Sequence, residues 1–567
     1  MKRFLITFLM IFTLFTVACG EDTGDNSVSE NGDDEPVCGN GIVEEGEICD
    51  GGSKSCIEID SSIFSGGDAN CRQDCSGWET STCEAETVVC DGDYKIRTKS
   101  ELDEIMLCRE ITGDISIVIN DTKEVYLPFL EKTGGSVTLA SWFDEESSQW
   151  INTDDFSVEN LTLPELKEIG GGFASTANTA LRSVAIPELE KIERSFSVHS
   201  NSMLETISPS KLKEVGRNVS FVNNASLMVV EFPMLIKFGD TLSFRNNHLV
   251  KSIRFPELKE VYTGGIEPSG NFGIGNNALL EEIYFPKLEK VGRVFDIDGN
   301  NSLKFFEFPL LELIDMSLFI RENENLEEFK FQKLDRVRVD LKIEYNERLR
   351  HFEISGDLVV GEEFIVRENP SLETFTLDGF KRVGWWFDVF GNESLKSFSA
   401  PMFEGGGDFL RVSGNDSLVS FEVPNLKTLG DLIISYNKKL ASFELPNLKT
   451  VRGIGVGDNA SLTSFTIQNL EEVTGIGLYR NASLVSFSIP KLATVKELGI
   501  KMSYNPSLES FDLSALSRID EDFQIMNNLE LPTATAIELR DQVLERDGIG
   551  GEITICYNKD SENSCVE

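Results

Sequence analysis

The sequence predicts an all-β solenoid: a stack of about 17 short coils between a small cysteine-rich module and a C-terminal cap. Three observations predict it. Asparagine, followed three residues later by an aliphatic anchor, recurs about every 23 residues, from Asn178 and Leu181 to Asn505 and Leu508. Each unit holds two stretches in which apolar and polar residues alternate. Proline and glycine punctuate those stretches, and none is long enough for a capped helix. A fixed period of this size marks a stacked repeat architecture, and such stacks mostly present binding surfaces.

The chain opens MKRFLITFLMIFTLFTVACG. Two cations precede an apolar run from Phe4 to Val17 that is too short to span a bilayer and is placed like an export signal. The stretch Thr16-Val17-Ala18-Cys19 resembles a bacterial lipoprotein signal. That resemblance implies cleavage after residue 18, lipidation of Cys19, and a lipid-anchored protein of the cell envelope, facing outward from the outer membrane. Residues 19–37 are acidic, polar and almost without aliphatic side chains, so they cannot bury a core and read as a disordered tether.

Ninety-five acidic and 52 basic residues give a net charge of −43. That excludes nucleic acid as a partner, because polyanions repel. It is compatible with calcium, with cationic partners, or with a simply self-repelling surface.

Beyond Cys19 there are ten cysteines, an even number that suits disulfides in an exported protein. Cys38, Cys49, Cys56, Cys71, Cys75 and Cys83 fall in one module, residues 38–87. A chain this small needs covalent staples, since its core is too small to hold it. Six cysteines allow many pairings and the sequence does not choose among them. The start of the module, CGNGIVEEGEICDGG, resembles the short cysteine-rich repeats of myxobacterial-type surface proteins. Asp50, Asp68 and Asp74 carry the hard oxygen that calcium prefers, but without EF-hand spacing they read as solvated surface. A module without histidine points to disulfides rather than zinc.

The unit beginning at Asn415 shows how each coil is built. Leu418, Phe421 and Val423, then Leu426 and Leu429, then Leu432 and Ile434 fall on one side, the half-buried strand pattern. Pro424 ends the first strand because it cannot donate to a ladder. Gly430 is expected to permit the turn into the next strand. Three residues after the anchor, Phe306, Phe329, Phe352, Phe375, Phe398, Phe421, Phe443, Phe465, Phe487 and Phe511 make ten consecutive rungs. So regular a row reads as an internal stack. The repeated asparagine reads as a buried corner residue that satisfies main-chain groups of neighbouring coils. Ser397, Ser420, Ser442, Ser464, Ser486 and Ser510 read as an outward polar stripe. The N-x-S/T matches follow from the repeat itself. Stacking at about 4.8 Å per coil gives a rod on the order of 80 Å. Two insertions break the period, near 140–152 and 262–275, and insertions in solenoids map to one face.

The stretch from Cys90 to Ile96, then Leu102, Ile105 and Cys108, then Ile111-Thr112-Gly113-Asp114-Ile115-Ser116-Ile117, resembles the opening of receptor L domains. It also resembles bacterial surface leucine-rich repeats. The resemblance spans about residues 88–567 and implies a right-handed β-helix, a leucine-rich-repeat-type solenoid over 88–530, whose first coil is stapled by Cys90 and Cys108. Residues 531–567 read as its cap: a helix over Thr533–Asp547, a strand at Ile553–Cys556, and closure by Cys556 and Cys565.

Catalytic chemistry is not prominent. His199, His248 and His351 lie on separate coils at different register positions. Paired carboxylates for polysaccharide cleavage remain the alternative, since acidic residues are abundant. The preferred reading is a non-catalytic, cofactor-free protein that binds an extracellular protein or glycan for adhesion or recognition. In FKRVGWWFDVFGN, Phe387 and Val389 take the inward register, so Trp386, Asp388 and Phe390 should point outward as a contact patch.

Overall fold

A computed structural model describes residues 39, 43, 48–59, 61, 64–72, 77–79, 82–84, 86–139, 142–144, 149–151, 156–261, 270–560 and 565–566. Two compact units are present, Met1–Glu84 and Ala85–Glu567. Among the described residues no helix is long and apolar enough to cross a membrane.

In the first unit, strands Ser53–Ser55, Asp68–Cys71 and Trp78–Glu79 pair antiparallel, and one helical turn, Cys56–Ile59, follows the first. Two disulfides close it, Cys49–Cys71 and Cys56–Cys83. Among its described residues Cys49, Cys56, Phe64, Ala69 and Cys83 are buried, a small apolar core as expected of a unit this size. Cys38 and Cys75 lie outside the described residues, as do Cys19, Asp74, the signal and the tether.

The second unit is a parallel β-solenoid of about 18 turns, against the 17 expected. At its two ends Tyr94–Ile96 and Ile553–Cys556 join the long-strand ladder. Each coil has three faces. A three- or four-residue strand carries the Phe rung. A two-residue strand follows, and then a longer strand that leads into the ladder asparagine. The register is direct: on the first face Phe352 pairs with Phe375, Phe375 with Phe398 and Phe398 with Phe421, and on the third Phe364 pairs with Phe387, Phe387 with Leu410 and Leu410 with Leu432.

The rows of identical residues follow from that register. The phenylalanines form an internal stack, with ring centroids 5.1 Å apart from Phe329 to Phe352 and 4.8 Å from Phe352 to Phe375. Phe511, the last rung, is only half-buried. Each asparagine is fully buried and bonded along the stack. The Asn369 side-chain amide donates to Ile343 O at 2.9 Å, Arg367 O at 3.0 Å and Asn392 Oδ1 at 3.2 Å, and its own Oδ1 accepts from the Asn346 N–H at 3.0 Å. The ladder runs past Asn505 through Asn528 to Asn558 in the cap. The residue before each asparagine turns the corner in the left-handed region, with φ 60° at Asn223 and 56° at Tyr345.

The turn expected at Gly430 is absent. Gly430 lies inside an unbroken eight-residue strand, Thr428–Ser435. Val383 and Phe387 are four residues apart across the corner, whereas Leu429 and Leu432 are three apart, and here the second and third strands run on as one. Glycine is still required there: a Cβ would sit 1.9 Å from Asp408 O.

Both ends of this unit are capped. A helix unforeseen in the sequence, Lys99–Glu104, covers the first rung with Leu102 and is N-capped by Thr98, whose hydroxyl accepts from the Glu101 N–H at 3.3 Å. Cys90–Cys108 staples this coil. At the other end, helix Thr533–Leu544 buries Ala536, Leu539 and Val543, three residues shorter than expected. Cys556–Cys565 joins the last two strands, which pair antiparallel. The first insertion forms a short antiparallel pair, Trp142–Asp144 with Gln149–Ile151. In the second, residues 262–269 lie outside the described residues, and the register resumes at Phe272.

Candidate functional site

The outer surface of the long-strand ladder is where side chains depart most from the repeat. Every second residue of each long strand faces out, and the direct register lines these positions up between coils. Strand Trp386–Phe390 places Phe387 and Val389 inward, both fully buried, and Trp386, Asp388 and Phe390 outward.

Trp386 is 36% exposed and its ring stacks on Phe409 of the next coil at 5.1 Å. Trp385 beside it is 49% exposed. Asp388 has the outward register but only 2% exposure, because Arg411 closes over it. The guanidinium Nε donates to Asp388 Oδ1 at 2.8 Å and Nη2 donates to Oδ2. The same guanidinium lies over Phe390 at 5.1 Å and Phe409 at 5.8 Å. Hydrogen bonds to Asp388 hold the Arg411 pKa above its ordinary value. Asp388 is therefore a clamp that orients Arg411, which lies between the aromatic rings. Phe409 and Arg411 were not singled out in the sequence. Their signal is the spacing: each lies 23 residues after Trp386 and Asp388, the repeat period, and so lands beside it.

Towards the C-terminus the outward positions empty. Ile433 is followed, one and two coils on, by Gly455 and Gly477. Beside these lie Gly453, Gly475 and the ion pair of Asp431 with Arg452. The result is an open depression of about 390 Å³ bordered by Tyr479, Leu498 and Lys501. Burial raises the Tyr479 phenol above its ordinary pKa, so it stays a protonated donor.

Towards the N-terminus the face is occupied by ion pairs. Arg245 crosses Gly273 and Gly275 to reach Asp296 at 2.8 Å and Asp298 at 2.7 Å, and Arg321 reaches Asp296 at 3.2 Å. Burial, with Asp296 next to it, raises the Asp298 pKa. His199 meets Ser220 through Nε2 at 2.8 Å, and burial lowers its pKa. His351 bonds Thr374 on the Phe-bearing face, and His248 is exposed at a corner, so the three histidines are not brought together. Among the described residues no group of three or more His, Cys, Asp and Glu gathers to hold a metal ion. The serine row is outward and half-buried or exposed.

No protein-family model and no curated protein matches the chain. Twenty-eight solved chains match it. One is a leucine-rich repeat protein from Bacteroides ovatus ATCC 8483, at 15% identity over 74% of this chain and 91% of that chain, with a TM-score of 0.22.

Proposed function

We propose that this chain is an exported, lipid-anchored binding protein that presents the outer face of its long-strand ladder to an extracellular protein or glycan. One observation carries the reading. The long-strand face gathers Trp385, Trp386, Phe390 and Phe409 around the Asp388–Arg411 pair. Aromatic and arginine side chains are the residues that most often dominate binding energetics. Disulfides at both ends of the solenoid support export. The polysaccharide-cleaving alternative draws little support. On this face Asp296, Asp298, Asp388 and Asp431 are each paired with an arginine.

Two experiments test the reading. A photo-cross-linking amino acid at position 409 should capture an extracellular macromolecule, and the same group at Ser442, on the Phe-bearing face, should not. Equal capture from both positions removes the assignment of the face. Cys19→Ser should move the protein from the membrane to the soluble fraction; retention on the membrane removes the lipid anchor.

A further inference from the structure

We propose that the long-strand face between Trp386 and Tyr504 takes a neutral, linear glycan lying along the stack of coils. The inference rests on the reading of that face as the binding face. It follows from where exposed rings lie, what separates them, and how the charges around them are paired.

Several exposed aromatic rings lie here. Trp386 is 36% exposed, and Tyr436, Tyr479 and Tyr504 are 58%, 40% and 55% exposed on this face or its corner. The Tyr479 ring lies over Gly477 of its own strand, where a Cβ would come 2.6 Å from it, and the side chain remains partly open to solvent. A pyranose has an apolar C–H face of ring size and a rim of hydroxyls, which suits such a platform and the polar groups beside it.

The space between the rings is kept open without need from the fold. Gly455 is not in the left-handed region. A Cβ there would meet nothing closer than Leu432 O at 3.9 Å. Neither backbone nor packing asks for glycine, which costs a strand interior about 0.5–1 kcal/mol. Glycine in a strand interior leaves room for close approach by a ligand. It floors the 390 Å³ depression in front of Tyr479.

Charge decides which polymer fits. Asp388–Arg411 and Asp431–Arg452 are mutually neutralised. They leave fixed polar edges at the rim and little net charge to hold an ionic ligand. The chain carries −43 and repels polyanions. A peptide is poorly served. Strands Thr450–Gly457 and Glu472–Tyr479 are paired on both sides, so an extended chain finds no free edge to extend.

The full chain is titrated calorimetrically with cellohexaose, xylohexaose, mannohexaose, laminarihexaose and chitohexaose, with polygalacturonate as the anionic control. At least one neutral hexasaccharide is expected to bind and polygalacturonate is not. Gly455→Trp, which fills the floor, and Tyr479→Ala, which removes the platform, are each expected to weaken binding about tenfold or more. Their thermal midpoints should stay near that of the parent, and Ser442→Trp should leave affinity unchanged. The proposal is overturned if no neutral hexasaccharide binds, if Gly455→Trp binds as well as the parent, or if only polygalacturonate binds. Capture of a protein alone by the cross-linker at position 409 overturns the glycan and keeps the binding face. Equal capture from positions 409 and 442 removes the face itself.

Discussion

At the scale of single residues, the buried asparagine and the stacked phenylalanine do different work. Asn369 joins three coils through one side chain. Replacing it with alanine leaves the Ile343 and Arg367 carbonyls and the Asn346 N–H without that partner. Each unsatisfied buried group costs about 1–3 kcal/mol, so Asn369→Ala should cost roughly 3 kcal/mol in denaturant unfolding. Phe352 is fully buried with a ring above and a ring below. Phe352→Ala is expected to cost about 3–5 kcal/mol. Phe511→Ala should cost distinctly less, because the last rung is half-buried and has a ring on one side only. Equal losses at the two positions would contradict the stack. His199 gives a pH dependence. Burial lowers its folded pKa below the unfolded value of about 6.5, so the unfolded chain binds the proton first as pH falls. Stability at this site is complete above about 6.5 and is lost as pH drops through the lower folded value. His199→Gln should flatten the stability–pH curve on that acid side; an unchanged curve would contradict the assignment.

At the scale of elements, the ends matter because an open solenoid exposes its terminal rung. The N-terminal end is closed by helix Lys99–Glu104 and the Cys90–Cys108 disulfide. Its loop spans 18 residues, for which chain entropy gives about 3 kcal/mol. The Cys90→Ala/Cys108→Ala double variant should lose about that much locally. Amide exchange should accelerate in the first coils and stay slow in the middle of the stack. Uniform acceleration would show that the staple acts globally. The helix was illegible in the sequence because six residues are too few to display a period. Thr98 with Glu101 was the available signal. The fused strand Thr428–Ser435 was illegible for another reason. Glycine reads as a turn residue unless the length of the corner is counted, and only packing against Asp408 shows why it stands there.

For the whole molecule, a net charge of −43 is held on a scaffold stabilised mainly between neighbours. Many Lys–Glu pairs bridge adjacent coils at the surface, as Lys396 does with Glu373 and Lys427 with Glu404. Such exposed pairs contribute little individually, and the excess of carboxylates opposes compaction. Raising salt screens that repulsion over about 10 Å or less. The thermal midpoint should therefore rise by a few degrees between low and about 0.5 M sodium chloride. A fall would mean that the surface pairs outweigh the repulsion. The sequence by itself determined the solenoid, its inside and outside, the Phe stack and the asparagine ladder, because a period of 23 forces like residues onto like positions. It also placed Trp386, Asp388 and Phe390 outward. Tertiary structure alone decided what those positions became. Asp388 is covered because Arg411 arrives from the next coil, Trp386 finds Phe409 there, and Gly455 opens a floor only when Tyr479 stands beside it. A face is built from residues one coil apart in space and more than twenty apart in sequence, so its chemistry appears only once the coils are stacked.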